Sequence, residues 1–519
     1  MFTSLAEANA YIEQQQLQNA ELTKQLESAR RSLSLLQHQV EQLLRRVYGR
    51  KSEKMDPKQL IFQSMMLETL KNRENEAEAV VSSQPEPVLA KQIHKSSSPR
   101  QHPGRIPIPE HLEHREIFLD IPEKNKIDPE TGKPLKQIGV ETSKKLEYQP
   151  GKLIVNVYKR PKYASPDSTA SSGIIVAPMP DHPIPKCKAD VGLLSHIIVA
   201  KFADHLPCYR LDGIFEREGV TIPRATQVSW IIKTYESIRL LEDVLKQAVI
   251  ENDVIFTDDS IIPLWIKGRG KLKKGRLWVY VRGDPLKPLI AFDFSPDRSK
   301  KRPLDFLKKY KGYVHADAYG GYDELFRLPG IIEVACWAHA RRKFDEAVSS
   351  RSKEATEIIL QIAGIYQVEK ACAKMKPDER RDYRKIHATP ILDGIFKRIE
   401  ELKLKSLPSE PLRKALDYAL NQRKALCRYL EDGRLKPDNN TAENAIRPLA
   451  LGRKNWLFAA SEKGAHATAL FLGLIQSCKA NHINPWEYLD DVLRRIMSHP
   501  ANRLRELLPD QWKPLNKDR

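Results

Sequence analysis

Val254-Ile255-Phe256-Thr257-Asp258 and Gly312-Tyr313-Val314-His315-Ala316-Asp317 are two short apolar runs, and each ends on an aspartate. Runs of this length, rich in β-branched and aromatic residues, predict buried strands. Around them the chain reads strand (254–256), strand (277–282), strand (289–294), helix (303–310), strand (313–316), helix (322–326), strand (331–336). Three strands in a meander followed by alternating helices and strands predict a mixed sheet whose first and fourth strands are neighbours. Asp258 and Asp317 then emerge side by side. Glu443 lies in Pro437-Asp438-Asn439-Asn440-Thr441-Ala442-Glu443-Asn444-Ala445-Ile446-Arg447-Pro448, which reads as the start of a helix. Most of the intervening stretch, 343–435, reads as amphipathic helices and predicts a helical insertion.

Two aspartates at strand ends and a glutamate on a later helix suit one chemistry in particular. Phosphodiester hydrolysis or transfer builds negative charge on the attacking and leaving oxygens, and two divalent ions about 3.5–4 Å apart can clamp both. Mg²⁺ takes hard oxygen ligands and keeps several waters, so a few carboxylates suffice. Each residue also has a plainer reading. Asp258 and Asp317 are compatible with ordinary strand-end turns, and Asp259 competes with Asp258 for the first position. Glu443 stands three residues after Asn440, as in a capping box, and four before Arg447.

The charge balance agrees with a polyanionic partner. Across 519 residues, 86 Lys and Arg against 67 Asp and Glu leave a net charge of +19, although ribosome or membrane association would equally suit a basic surface. Lys267, Arg269, Lys271, Lys273, Lys274 and Arg276 form a dense basic patch, with Arg298, Arg447, Arg453 and Lys454 in other segments; these and His339 are candidate DNA contacts. Six scattered cysteines contain no CxxC pair, which disfavours a disulfide framework and a four-thiolate zinc site. There is neither a signal-peptide pattern nor an apolar run near the ~20 residues of a membrane span. The expectation is a cytoplasmic, nucleoid-associated protein with no membrane partner.

At the N-terminus Leu22, Leu26, Ala29, Leu33, Leu36, Val40, Leu43 and Val47 alternate steps of four and three. That is a coiled-coil period and predicts a homodimer, the alternative being a helix packed on its own protein's core. Arg45, Arg46, Arg50 and Lys51 follow as a basic segment able to touch phosphates. Residues 74–105, poor in aromatics and rich in Glu, Ser, Pro and Gln, read as a linker. Residues 106–186 alternate β-like runs with turns. Helices are expected at 193–202, 209–217 and 225–245, the last two separated by a Gly-Pro turn in the manner of a helix-turn-helix.

With these features assembled, the chain resembles the DDE transposases of the insertion sequence 66 family. The resemblance rests on LLRRVYGRKSEK (43–54), the stretch from Tyr163 to Arg210 that ends in ADHLPCYR, GRLWVYVR (275–282), SPDR (295–298), HADAYGGY (315–322), CWAHARRKF (336–344) and DNNTAENAIRPLALGRKNWLF (438–458). It implies a ribonuclease-H-like enzyme that cuts and joins the ends of its own mobile element, with Asp258, Asp317 and Glu443 holding two Mg²⁺ or Mn²⁺ ions. It also suggests small accessory proteins from the same element. Where such proteins usually carry paired cysteines in the β-rich module, residues 127–132 and 162–168 here have none, so no structural zinc is expected.

The expected fold is therefore multidomain α+β. Residues 1–73 form a coiled coil and basic helix, 74–105 a linker, and 106–186 a β-rich, degenerate zinc-finger-like module. Residues 187–247 are a helix-turn-helix-like DNA-binding region, and 248–345 the first part of a ribonuclease-H-like α/β core. A helical insertion (346–436), the Glu443 helix with C-terminal helices (437–497) and a tail (498–519) complete the chain. The expected partner is double-stranded DNA, both terminal inverted repeats and target. Two other readings are open: a catalytically inactive, transposase-derived DNA-binding protein, and a coiled-coil scaffold whose basic charge is incidental.

Overall fold

The computed structural model describes residues 151–163, 175–266, 268, 270–348 and 352–515. The coiled coil, the linker and most of the β-rich module lie outside the described residues, as do Arg45, Arg46, Arg50, Lys51, Lys267 and Arg269. No helix among the described residues is long and apolar enough to cross a membrane. All six cysteines are free thiols.

The described chain is mixed α/β. Strands β1 (Lys162–Tyr163) and β2 (Ile175–Val176) pair antiparallel. Four helices follow: α1 (Val191–Phe202), α2 (Cys208–Arg217), α3 (Arg224–Ile238) and α4 (Leu240–Ile250). Asp190 caps α1 by accepting the Val191 N–H at 2.7 Å, and its other oxygen accepts from the Tyr158 hydroxyl at 2.7 Å. The single helix expected at 225–245 is instead broken at Arg239. The Ser237 hydroxyl donates back to the Thr234 carbonyl (2.8 Å), and the Glu242 N–H returns to Arg239 O (2.9 Å) to open a new helix with Glu242 and Asp243 in its first turn. Hydroxyl back-bonding of this kind bends helices.

The sheet is built from β3 (Val254–Leu264), β4 (Lys273–Arg282), β5 (Ile290–Ser295), β6 (Gly312–His315) and β7 (Ile331–Val334), with α5 (Lys301–Leu307) between β5 and β6. Its order is β5-β4-β3-β6-β7, so the first and fourth strands of this segment are neighbours, as expected. β4 and β5 run antiparallel, whereas β3/β6 and β6/β7 are parallel. Leu277 to Val281 and all of β5 are buried, the continuous apolar pattern of strands covered on both faces. The helix expected at 322–326 is two 3₁₀ turns, Gly320–Tyr322 and Leu325–Arg327. The turns close by i→i+3 bonds, Tyr322 N–H to Tyr319 O (2.9 Å) and Leu328 N–H to Leu325 O (3.0 Å), and Leu328 is already extended.

Gly312 opens β6 with φ +140°, and a Cβ there would sit 2.3 Å from the Asp253 carbonyl oxygen that accepts the Tyr313 N–H. Gly312→Ala is therefore expected to destabilise by about 2 kcal/mol or more, through backbone strain and a lost ladder bond. Urea titration of the full chain measures this.

Helices α6 (Trp337–Ala347), α7 (Ser352–Ala371), α8 (Pro377–His387), α9 (Thr389–Leu404), α10 (Pro411–Asn421) and α11 (Arg423–Cys427) fill the span before the third carboxylate. After it come α12 (Asn440–Trp456), α13 (Glu462–Ala480) and α14 (Pro485–Arg495). Among the described residues, one compact unit contains 253–258 and 303–443, and a second contains 151–163, 175–252, 259–302 and 444–515. In the first, Trp337 is fully buried and donates its indole N–H to Leu426 O at 2.9 Å. In the second, the Ser477 hydroxyl of α13 accepts the Ile290 N–H of β5 at 2.8 Å. Asp258, Asp317 and Glu443 all belong to the first unit.

Candidate active site

The register of β3 and β6 ends at Phe256 opposite His315. Asp258 lies two residues further along β3, and Asp317 lies two residues beyond the end of β6. Equal steps past the last paired residues keep the two aspartates at the same end of the two parallel strands. Asp317 is steadied by the Tyr319 N–H, which donates to Oδ1 at 3.3 Å. The floor below is apolar. The Phe256 and His315 rings stack at 4.1 Å, with the Lys436 ammonium 5.5 Å from the Phe256 centroid. Complete burial pushes the His315 imidazole down to about 3, so it is neutral at physiological pH.

Glu443 enters in the first turn of α12. The helix start is fixed by Asn439, whose Nδ2 donates to the carbonyl of Thr257, the residue before Asp258, at 2.8 Å. The Glu443 N–H donates to Asn439 O at 3.2 Å. Its carboxylate faces α6, with Oε1 3.7 Å from His339 Nε2 and 3.6 Å from the Arg342 guanidinium. His339, expected among the DNA contacts, thus leans on the carboxylate itself. Arg342 was not singled out from sequence; its signal is the i, i+3 spacing from His339, which puts both on one helix face. The Glu443 N–H goes to the Asn439 carbonyl (3.2 Å) and the Asn440 carboxamide N–H to Asp438 (2.8 Å), which is not the reciprocal pattern of a capping box between Asn440 and Glu443.

Asp259 has other work. Its side chain is 2% exposed and accepts from Arg276 at 2.8 Å and from Arg298 at 2.8 Å. Two guanidiniums on one buried carboxylate describe a structural anchor, and they engage two arginines expected to contact phosphate. Arg453 likewise donates to Ser260 Oγ (2.9 Å) and Ile261 O (2.7 Å). Lys271, Lys274, Arg447 and Lys454 are exposed, while Lys273 is half-buried at the start of β4.

Three carboxylates offer the hard oxygens that Mg²⁺ or Mn²⁺ selects. The donor set fits such an ion by ligand type, whereas among the described residues no three His, Cys, Asp or Glu side chains are grouped so as to hold a metal ion.

Comparison with known proteins places these residues in context. The family described as Transposase IS66 family matches residues 186–467. The IS66 C-terminal element matches 473–509, and Transposase C of IS166 homeodomain matches 35–117. Among curated relatives from Sinorhizobium fredii (strain NBRC 101917 / NGR234), the uncharacterized protein y4qI is 33% identical over 73% of this chain and 72% of its own. The uncharacterized protein y4jD is 30% identical over 96% of this chain and 98% of its own.

Proposed function

The chain belongs to the IS66 family of transposases, and from that premise we propose that it cleaves the ends of an insertion sequence and joins them to target DNA. The observation that supports this reading is the parallel pairing of β3 and β6, which ends two residues before Asp258 and Asp317, with the Glu443 helix tied to the residue before Asp258. A mixed sheet with that strand order also supports a ribonuclease-H-like core.

Asp258, Asp317 and Glu443 would hold two Mg²⁺ or Mn²⁺ ions, which when bound stabilise charge on the attacking and leaving oxygens. The chain's own residues do the rest. The backbone amide of Tyr319 orients Asp317, and His339 with Arg342 steadies Glu443. Lys271, Lys274, Arg447 and Lys454 offer ammonium and guanidinium groups to phosphates, and Lys273 does so from the edge of the same patch. Water cleaves the phosphodiester at the element's end and frees its 3′-hydroxyl, which then attacks a target phosphodiester in line, joining to the target 5′-phosphate and releasing the target strand's 3′-hydroxyl. The N-terminal heptads pair two protomers, helices α1 to α3 contribute to holding the ends, and accessory proteins of the element join the assembly. A second reading, an inactive DNA-binding derivative, is favoured by the missing cysteines at 127–132 and 162–168.

The two are separated by Mg²⁺- or Mn²⁺-dependent cleavage and strand transfer on DNA carrying the element's ends. Wild type is expected to be active and Glu443→Gln to lose about 10³-fold or more while still binding DNA. Binding without cleavage in both proteins would establish the inactive derivative.

A further inference from the structure

Asn439 is fully buried, and it links β3, the start of α6 and the helix that carries Glu443. Its Nδ2 donates to the β3 carbonyl immediately before Asp258 (2.8 Å). Its backbone N–H donates to Cys336 Sγ (3.2 Å), three residues before His339 at the start of α6. Its carbonyl accepts the N–H groups of Ala442 (3.0 Å) and Glu443 (3.2 Å). An asparagine just ahead of a helix ordinarily turns its side-chain oxygen back to cap the first turn. Here the side chain leaves its own helix. The Thr257 carbonyl can only accept, so Nδ2 must face it, and Oδ1 stays buried with no donor from the described protein.

We propose that Asn439 is a positioning residue that sets the separation between Asp258 and Glu443 through its bond to the Thr257 carbonyl. The inference rests on the transposase reading and deepens it. A cap or a space-filler would tolerate aspartate, which caps as well as asparagine and suits a helix N-terminus better. A positioning role would not, because aspartate keeps the shape, loses the donor and sets a carboxylate against a carbonyl.

The test is Asn439→Asp in the full chain with end-bearing DNA and Mn²⁺. Single-turnover cleavage at saturating DNA is expected to fall about 100-fold, the cost of roughly 1 Å of misplacement. DNA affinity should stay within about twofold, and Mn²⁺ affinity read by electron paramagnetic resonance should weaken about 10-fold. Asn439→Gln, whose amide is displaced by one methylene, should lose as much and serves if the aspartate variant does not fold. Wild-type cleavage rate and Mn²⁺ affinity in a folded variant would overturn the proposal. If wild type cleaves no DNA, the transposase reading fails and the Mn²⁺ titration alone decides. Weaker binding in the variant then supports positioning, whereas equal binding, or none in wild type, overturns it.

Discussion

Arg384→Met is expected to destabilise the unit carrying the three carboxylates by about 3–5 kcal/mol, the usual cost of removing one partner from a buried ion pair. The Arg384 side chain is 1% exposed. Nε and one terminal nitrogen form a fork on Glu369 at 2.7 and 2.6 Å. The remaining donors reach the carbonyls of Tyr429 (3.0 Å), Asp432 (3.2 Å) and Leu435 (3.0 Å). Methionine fills much of the volume but strands the Glu369 carboxylate and three carbonyls. Lysine should rescue poorly, since an ammonium cannot present a planar fork and three further donors at once. The same stretch is held by Arg380, which donates to Gly433 O at 3.1 Å, and by Arg434, bidentate to Asp253 at 2.8 Å. Because this stretch delivers Asn439 and Glu443, Arg384→Met should also speed hydrogen exchange at 428–436. Urea titration and exchange mass spectrometry measure the two effects, and Glu369→Leu added to Arg384→Met should restore part of the loss.

What could be read from the sequence divides along physical lines. The sheet was legible because Val254 to Thr257 and Tyr313 to Ala316 are unbroken apolar runs, and the neighbouring of its first and fourth strands was what the resemblance to a ribonuclease-H-like sheet implied. Asp258 and Asp317 were legible as the polar ends of those runs. Asn439, Arg384 and Arg434 were not. Their importance lies in burial and in partners 182, 15 and 181 residues away, and a local pattern carries no record of either. Arg276 and Arg298 looked like phosphate contacts because a basic residue shows its charge but not its partner. Likewise, the helix expected at 322–326 closes as two 3₁₀ turns before the strand that begins at Ile331, a choice of i→i+3 over i→i+4 bonding that propensity does not resolve.

Asp258 and Asp259 give the sharpest test, because adjacent carboxylates on one strand are expected to fail in opposite ways. Asp258→Asn should cost about 10³-fold or more in end cleavage, since an amide is a poor substitute for a charged oxygen ligand on a divalent ion. Its stability should hold or rise, because on the proposed reading it removes one of three like charges gathered for a metal ion. Asp259→Asn should do the reverse. It removes the charge that Arg276 and Arg298 share at 2.8 Å each, in a side chain 2% exposed. An expected loss of about 2–3 kcal/mol follows from leaving two guanidiniums under-compensated. Its cleavage rate per folded molecule should remain within about tenfold of wild type, because the strand keeps its register through Phe256 and His315. Urea midpoints and single-turnover cleavage on the two variants read both quantities. A stable Asp259→Asn protein without activity, beside an active Asp258→Asn protein, would move the first metal ligand by one residue and to the other face of the strand.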